Sequence, residues 1–213
     1  MNILIADDHE LIREGIRQSL QELNQNGEVF EAEDEQQVET ILQSEQVDLL
    51  LLDLVLPLGK SFQLLETVIN TYPDMKVAML TASEDVNDVR KCMDLGASAF
   101  ITKTSGKSNL VKALRLIIRG GVYISPDLIE KINHSQADTS ANGEDEKRLN
   151  TLTRRQREVL GLVCEGSSNK EIAHLLGLSD NTIKIHVTAI LKSLNVRNRT
   201  QAVLLANRAS FFE

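Results

Sequence analysis

Four short apolar runs in the first half of the chain each lead into a polar side chain, and this repetition limits the fold more than any other feature. Residues 2–6 run into Asp7 and Asp8, 47–52 into Asp53, 76–80 into Thr81, and 99–102 into Lys103. Between the runs, residues fall at helical spacing: Leu11, Ile12, Gly15, Ile16 and Leu20 within 10–23; Val38, Ile41 and Leu42 within 37–42; Phe62, Leu65, Val68 and Ile69 within 62–69. Further helices are predicted over 84–95, closed by Gly96, and 110–119, closed by Gly120 and Gly121. Residues 28–30 suit a short edge strand. Near-continuous apolar strands alternating with helices predict an α/β fold built on a five-stranded doubly wound parallel sheet. In such sheets the working residues lie beyond the carboxyl ends of the strands. Three carboxylates, a hydroxyl and an ammonium are therefore expected to converge on one edge.

Charge divides along the 213-residue chain. Residues 1–125 hold 11 basic against 20 acidic side chains, 126–150 hold 3 against 6, and 151–213 hold 9 against 5. A basic module on an acidic chain is compatible with a polyanionic partner for that module alone. Cys92 and Cys164 have no ligand spacing, so they support neither a disulfide framework nor a zinc site. The first residues carry no basic segment ahead of a long apolar run, so the expectation is a cytoplasmic protein without a membrane span. The polar stretch before residue 149 is too poor in apolar residues to order itself, and predicts a linker over 123–148 between domains at 1–122 and 149–213.

Paired acids after one strand and a third acid after its neighbour can hold a hard divalent cation through oxygen, and one of them can act as a covalent nucleophile toward phosphorus. A lysine opposite stabilises the equatorial oxygens of a transferring phosphoryl group, and a threonine hydroxyl can bond one of them. Residues 1–122 resemble the receiver domain of two-component response regulators. The resemblance rests on Asp7, Asp8, Asp53 followed by Leu54 to Pro57, Thr81 and Ala82, Gly96 and Ala97, and Phe100 three residues before Lys103. It implies that Asp53 accepts a phosphoryl group from a sensor histidine kinase. It further implies Mg²⁺ held by Asp8, Asp53 and the backbone carbonyl of Val55, with Asp7 assisting through water, and Thr81 and Phe100 as a moving pair. Ser61 stands where the family usually has glycine, with Gly59 two positions early, and Thr104 stands where many receivers have proline.

Beyond the linker, helices are predicted over 154–164 with Thr153 as N-cap, 169–176, 180–194 with Ser179 as N-cap, and 200–207. Residues 169–186, with Gly177 in the turn, have the helix-turn-helix layout, in which the second helix enters the major groove. Ile172, Leu175, Leu176, Ile183, Val187 and Ile190 are expected in its core, with Lys184, Ile185 and Thr188 outward. Leu152, Thr153, Arg155, Glu158 to Leu160, Gly166, Ser168 to Ala173, Ser179, Thr182 to Lys184, His186, Leu194, Val196 and Arg199 to Val203 closely resemble the four-helix LuxR-type output domain. With the receiver, this is the NarL/FixJ class. Gln156, Ser193 and Asn195 replace the usual Glu, Lys and Gly. The resemblance implies DNA contacts by Lys184, Ile185, Thr188, Asn181, Thr182, His186, Ser179 and Lys170. His9, His134 and His174 show no ligand spacing and are given no role.

The implied function is a phosphorylation-activated, sequence-specific transcription regulator, not an enzyme, acting as a homodimer on double-stranded DNA with paired half-sites. A phosphohydrolase of the haloacid dehalogenase type uses the same covalent carboxylate, but needs an acid two residues beyond it, where Val55 stands. A constitutive DNA-binding protein with an inert receiver is the other rival. Val55 and Ser83, two residues beyond Asp53 and Thr81, lack the reach to orient a hydrolytic water, which predicts a long-lived phosphoprotein.

Overall fold

The computed structural model describes residues 1–21, 27–72, 75–82, 85–119, 121–126, 128–129, 131 and 140–209. The chain divides into two compact units, Met1–Ile118 with Tyr123–Ser125, and Arg119–Val122 with Pro126–Glu213. The last residues of the helix expected over 10–23, the first residue of the helix expected over 84–95, Ser83 and the Gly120 cap fall outside the described residues.

In the first unit the strands are β1 (Ile3–Ala6), β2 (Val29–Ala32), β3 (Leu49–Asp53), β4 (Lys76–Thr81), β5 (Ala99–Thr102) and β6 (Tyr123–Ile124). They pair in parallel in the order β2-β1-β3-β4-β5-β6. The helices between them are α1 (Glu10–Gln21), α2 (Glu35–Ser44), α3 (Ser61–Thr71), α4 (Val86–Leu95) and α5 (Gly106–Ile118). Side chains alternate across the pleat. Ile3, Ile5, Leu49, Leu51, Leu80 and Ile101 pack with Ile16 and Leu20 of α1 and Leu114 and Ile117 of α5. Leu4, Leu50, Leu52, Met79 and Phe100 point to the opposite face and are also buried, where α2, α3 and α4 turn their apolar sides. Each leucine of β3 contributes about 2 kcal/mol by leaving water on folding, which explains why that run tolerates no alternation.

Five strands were expected and six form. Tyr123 and Ile124 pair with Ala99 and Phe100, and Ser125 N–H donates to the Phe100 carbonyl at 3.1 Å. Two residues carry no readable period; they become a strand because β5 otherwise leaves its backbone groups unpaired at an edge. Phe100 therefore lies on an interior strand, not an edge one.

The second unit is helical: α6 (Ser140–Asn150), α7 (Arg154–Cys164), α8 (Asn169–Leu176), α9 (Asp180–Leu194) and α10 (Arg199–Arg208). Four helices were expected, and α6 occupies most of the C-terminal part of the expected linker. Its Glu144–Arg148 pair at 2.7 Å gives the weak support of an i,i+4 contact. What anchors it is Leu149, buried with Leu152 in the core formed by Val159, Leu160, Ile172, Ile183, Ile190, Leu194 and Ala202. Leu175 is corrected: it is 61% exposed. In a helix of 8 residues, Ile172, Ala173 and Leu176 already take the buried side, and Leu175 lies about 100° away from their mean direction.

The unusual residues have local explanations. Thr153 accepts from the Gln156 N–H while the Gln156 side chain accepts from Thr153 N–H, so the amide completes the capping box that a glutamate makes elsewhere. Asn195 ends α9 in the left-handed region at φ 53°, alone among the described non-glycine residues. Asparagine tolerates that conformation and alanine does not. Asn195→Ala is expected to destabilise the helical unit by about 1 kcal/mol and Asn195→Gly to leave it unchanged or firmer, read from urea midpoints. Equal midpoints for all three proteins contradict the account.

Candidate functional sites

The strand order places the first site. The chain leaves β1 for β2 on one side and returns to β3 on the other, so a cleft opens between the carboxyl ends of β1 and β3. Asp7 and Asp8 follow β1, Asp53 is the last residue of β3, Thr81 ends β4, and Lys103 follows β5. Parallel pairing sets Ala6 beside Leu52, Asp53 beside Leu80 and Thr81 beside Thr102, so the four strand ends finish nearly level.

Asp7, Asp53 and Thr81 are buried, while Asp8 is exposed. Lys103 Nζ lies 2.7 Å from Asp53 Oδ2 and 2.7 Å from Asp7 Oδ2, forming a shared ion pair. Its own N–H donates to the Thr81 carbonyl at 2.7 Å, tying the two loops together. Burial pushes the Asp53 carboxyl above its ordinary range and the neighbouring Asp7 charge adds to this, with the Lys103 hydrogen bond and the Val55 backbone N–H opposing incompletely. Burial acts to lower the Lys103 ammonium, but its hydrogen bonds to Asp53 and Asp7 prevail and hold it above its usual value.

Three residues that sequence reasoning left out support this cluster. Arg13 is buried; its Nη1 donates to the Asp7 carbonyl at 2.7 Å while Nε and Nη2 reach Glu31 and Glu33 at 3.0 and 2.8 Å. Glu35 accepts from the backbone N–H of Leu58 and Lys60 at 3.3 and 3.0 Å, bracing the loop that follows Asp53. Gly59 makes the turn there at φ 67°, and Ser61 becomes the buried first residue of α3. His9 was given no role, yet its ring Nδ1 sits 2.6 Å from Asp8 Oδ1 and 3.2 Å from Asp7 Oδ1.

The donor set suits a divalent cation. Asp7, Asp8, His9 and Asp53 each offer an atom within 4.8 Å of the others. The cleft gathers three carboxylates and one ammonium, and Lys103 contacts only Asp7 and Asp53, so a doubly charged ion neutralises what remains. The Val55 side chain is 66% exposed and brings no acid to the cleft. Phe100 is fully buried. The buried Cys92 and part-buried Cys164 thiols are both pushed up to about 12 by burial and take no part.

The second site is one face of α9. Asn181, Lys184, Ile185 and Thr188 follow i, i+3, i+4, i+7 spacing and are all exposed, forming a single stripe. Ile185 is 62% exposed, unusual for its type and unexplained by packing. Ser179 caps the helix by accepting from Thr182 N–H at 3.1 Å, with the two hydroxyls 2.8 Å apart. The Thr188 hydroxyl donates to the Lys184 carbonyl at 2.9 Å. Thr182 and His186 are half-buried, flanking the stripe, and Lys170 on α8 is exposed. Buried Ile183 and Ile190 fix the rotation of α9 that exposes these residues.

Comparison with known proteins covers both units. Residues 3–115 match the family described as response regulator receiver domain, and residues 150–206 the family of bacterial regulatory proteins of the luxR type. The chain is 37% identical over 212 residues to the glycerol metabolism activator of Pseudomonas putida, covering 98% of this chain and 96% of that one. It is 32% identical over 204 residues to the nitrate/nitrite response regulator protein NarP of Escherichia coli K12, covering 95% and 93%. Among solved structures it is similar to RcsB in a complex of two dimers with two parallel DNAs (TM-score 0.60, 26% identity, 99% and 98% covered). It is also similar to RcsB of Salmonella enterica serovar Typhimurium bound to promoter rprA with a phosphomimetic (TM-score 0.56, 25% identity, 98% of both chains).

Proposed function

The chain belongs to the two-component response regulators, as a transcription factor with a receiver and a LuxR-type DNA-binding domain, and from that premise we propose that Asp53 accepts a phosphoryl group from a sensor histidine kinase and thereby controls DNA binding. The observation that carries this reading is Lys103 held 2.7 Å from both Asp53 and Asp7 at the mouth of the strand cleft. Asp53 is the phosphoacceptor because it ends a buried central strand and faces both the acids and the ammonium. As the phosphorus–nitrogen bond of the donor breaks, an Asp53 carboxylate oxygen forms the new bond to phosphorus. Lys103 stabilises the charge on the equatorial oxygens, and the Thr81 hydroxyl bonds one of them. Asp8, Asp53 and the Val55 carbonyl, with Asp7 assisting through water, would hold Mg²⁺, which would supply charge neutralisation and orientation. Thr81 and Phe100 then move as a pair.

Residues 1–122 act as the receiver and 149–213 as the output domain; of the linker expected over 123–148, Tyr123 and Ile124 belong to β6 of the receiver sheet and Ser140 onward to α6. The phosphorylated protein is a homodimer on paired half-sites of double-stranded DNA, and the relatives solved as dimers on DNA support this. No helix among the described residues is long and apolar enough to cross a membrane, and a cytoplasmic regulator is the reading that suits a DNA target. The chain is not an enzyme: the covalent phosphoryl group is the signal, and Val55 denies the cleft the acid a phosphohydrolase needs. Genome-wide DNA occupancy of the wild type and Asp53→Asn tests the whole reading; identical occupancy under conditions that phosphorylate the wild type overturns it in favour of constitutive binding.

On α9, Lys184, Ile185 and Thr188 face the DNA, Asn181 and Thr182 in the first turn contact phosphate beside the Ser179 cap, His186 takes a phosphate or a packing contact, and Lys170 on α8 adds a further contact. Lys184→Ala is expected to weaken binding by about 1 to 3 kcal/mol and relax specificity at one position per half-site. A uniform loss across sequences, with a salt slope smaller by about 1 per half-site, assigns Lys184 to phosphate instead. Unchanged affinity shows that the wrong face of α9 was chosen.

Val55 and Ser83 also set the lifetime of the signal. Introducing Val55→Asn and Ser83→Glu together is expected to accelerate decay of the isolated phosphoprotein, followed by acid-stable separation of the two forms over time. Decay no faster than wild type removes these residues as the cause.

A further inference from the structure

The loop that follows Asp53 is fastened at its two ends by different means. At its start, Leu54 N–H donates to the Leu80 carbonyl at 2.9 Å, prolonging the pairing of β3 with β4, and Leu54 and Leu56 are buried. From Pro57 to Lys60 every residue is exposed, so no buried side chain holds that half. It is held instead by a turn bond from Gly59 N–H to the Leu56 carbonyl at 3.0 Å, and by Glu35, which takes Leu58 N–H at 3.3 Å and Lys60 N–H at 3.0 Å. Glu35 is 4% exposed, and each of its two carboxylate oxygens accepts one of these bonds. It opens α2, while Lys60 stands at the N-cap of α3 without a side-chain capping bond of its own. The carboxylate thus lies against two helix N-termini, whose dipoles favour its negative charge. Bonds to a charged acceptor are roughly twice as strong as neutral ones.

We infer that Glu35 is a positioning residue of the phosphoacceptor site: by holding Leu58 and Lys60 it fixes the loop that carries the Val55 carbonyl, and so sets how strongly the cleft binds Mg²⁺ and how fast Asp53 is phosphorylated. The inference rests on the reading of Asp53 as phosphoacceptor and deepens it. Val55 N–H bonds the Asp53 carboxylate from two residues along the chain, so a displaced loop moves the acid and the Val55 carbonyl relative to each other. A backbone carbonyl cannot regain its place by changing rotamer, as a side chain can. Its position depends on where the loop is fastened. Losing a residue that orients a metal ligand without touching the metal costs about 10- to 100-fold in affinity or activity. Ser61 offers a contrast: it is 2% exposed, but its hydroxyl has no hydrogen-bond partner among the described residues, so it fills space at the start of α3 without fastening the loop.

The test uses the full-length protein, Mg²⁺ and acetyl phosphate, with Glu35→Ala, Glu35→Gln and Ser61→Ala beside the wild type. Glu35→Gln keeps the side chain's volume and one accepting oxygen, so it carries the test if Glu35→Ala does not fold. In metal-free protein, hydrogen exchange over residues 54–60 should quicken in both Glu35 variants and not in Ser61→Ala. Calorimetric Mg²⁺ binding should weaken about tenfold or more in Glu35→Ala and by less in Glu35→Gln. The rate of phosphoryl uptake at saturating Mg²⁺, read by intact mass, should fall in the same order. The acetyl phosphate concentration at half-maximal rate should stay within about twofold of wild type, because Lys103 and Thr81, which meet the phosphodonor, are untouched. Ser61→Ala should match the wild type in all of these. Faster loop exchange with Mg²⁺ affinity and uptake unchanged overturns the role of Glu35, as does exchange at the wild-type rate or an equal loss in Ser61→Ala, and each leaves the phosphoacceptor reading standing. A wild type that neither binds Mg²⁺ nor takes up a phosphoryl group overturns that reading itself, and the inference with it.

Discussion

Asp53→Asn is expected to reduce covalent phosphoryl uptake from one group per chain to none while leaving the protein at least as stable as wild type at neutral pH. Incubation with acetyl phosphate and Mg²⁺, followed by intact mass measurement, reads the first effect. The asparagine amide keeps the size of the side chain but has no carboxylate to attack phosphorus. Asp7 cannot substitute, because it is buried with one oxygen on Lys103 and the other accepting from His9 N–H. Asp8 is exposed and removed from the ammonium that stabilises the transferring group. The stability effect follows from the sign of the shift at Asp53. Its carboxyl lies above the ordinary 3.8 because burial disfavours the charge. The folded chain therefore holds this proton more tightly than the unfolded chain, and the associated stability, present in full below 3.8, is lost as pH rises through the folded value. Asparagine carries no such penalty, so urea midpoints of metal-free wild type and variant should separate in the variant's favour as pH rises from 4 to 7. A phosphoryl adduct that survives in Asp53→Asn, or a variant that loses stability with rising pH relative to wild type, contradicts these assignments.

Lys103→Ala is expected to carry the largest cost to the metal-free fold, about 3 kcal/mol at neutral pH, the lower end of what removing one partner of a buried ion pair costs. The lysine side chain is 14% exposed, which places it at that lower end, but Asp7 and Asp53 are almost wholly buried and both depend on it. Without the ammonium, two neighbouring carboxylates face each other in a site of low polarity, and one of them must take up a proton or the loops must part. Two consequences follow that a simple packing defect does not produce. The deficit should shrink as pH falls toward 4, where the raised Asp53 carboxyl takes up its proton, and it should shrink when Mg²⁺ is added. A variant combining Lys103→Ala with Asp53→Asn should recover part of the loss. Urea unfolding across pH and metal concentration checks all of this, and a deficit independent of both contradicts the electrostatic account.

These effects depend on residues of unequal visibility in the sequence. Asp7, Asp8, Asp53, Thr81 and Lys103 were legible because each follows an apolar run, and parallel strands of similar length bring their ends to one edge. Arg13 and Glu35 were not. Arg13 sits in α1 with no distinguishing spacing and reaches the Asp7 carbonyl only because α1 packs back against β1. Glu35 opens α2, far along the chain from the loop it braces, and reads as an ordinary first-turn acid. His9 was discounted for want of a second histidine or cysteine at ligand spacing, although its partners are the adjacent acids. On α9, the stripe of Asn181, Lys184, Ile185 and Thr188 was legible from helical period, whereas the exposure of Leu175 was not, since its apolar character matched the period of α8 about equally well on either side.

The chain's own pattern thus determined the alternation of strands and helices, the class of sheet, the acids at the strand ends and the outward face of α9. Those features are local: a period of about 3.6 residues or a continuous apolar run is written in consecutive positions. Only the tertiary structure decided that Tyr123 and Ile124 become a sixth strand, that a polar stretch winds into α6, that the turn after Asp53 forms at Gly59, and that Lys103 divides its ammonium between two carboxylates. Each of those is settled by a partner distant in sequence: an unpaired β5 edge, a core that admits Leu149, the carboxylate of Glu35, and two acids drawn together at a strand crossover. Such energies arise from burial and from charges in low dielectric, which exist only after the elements have packed.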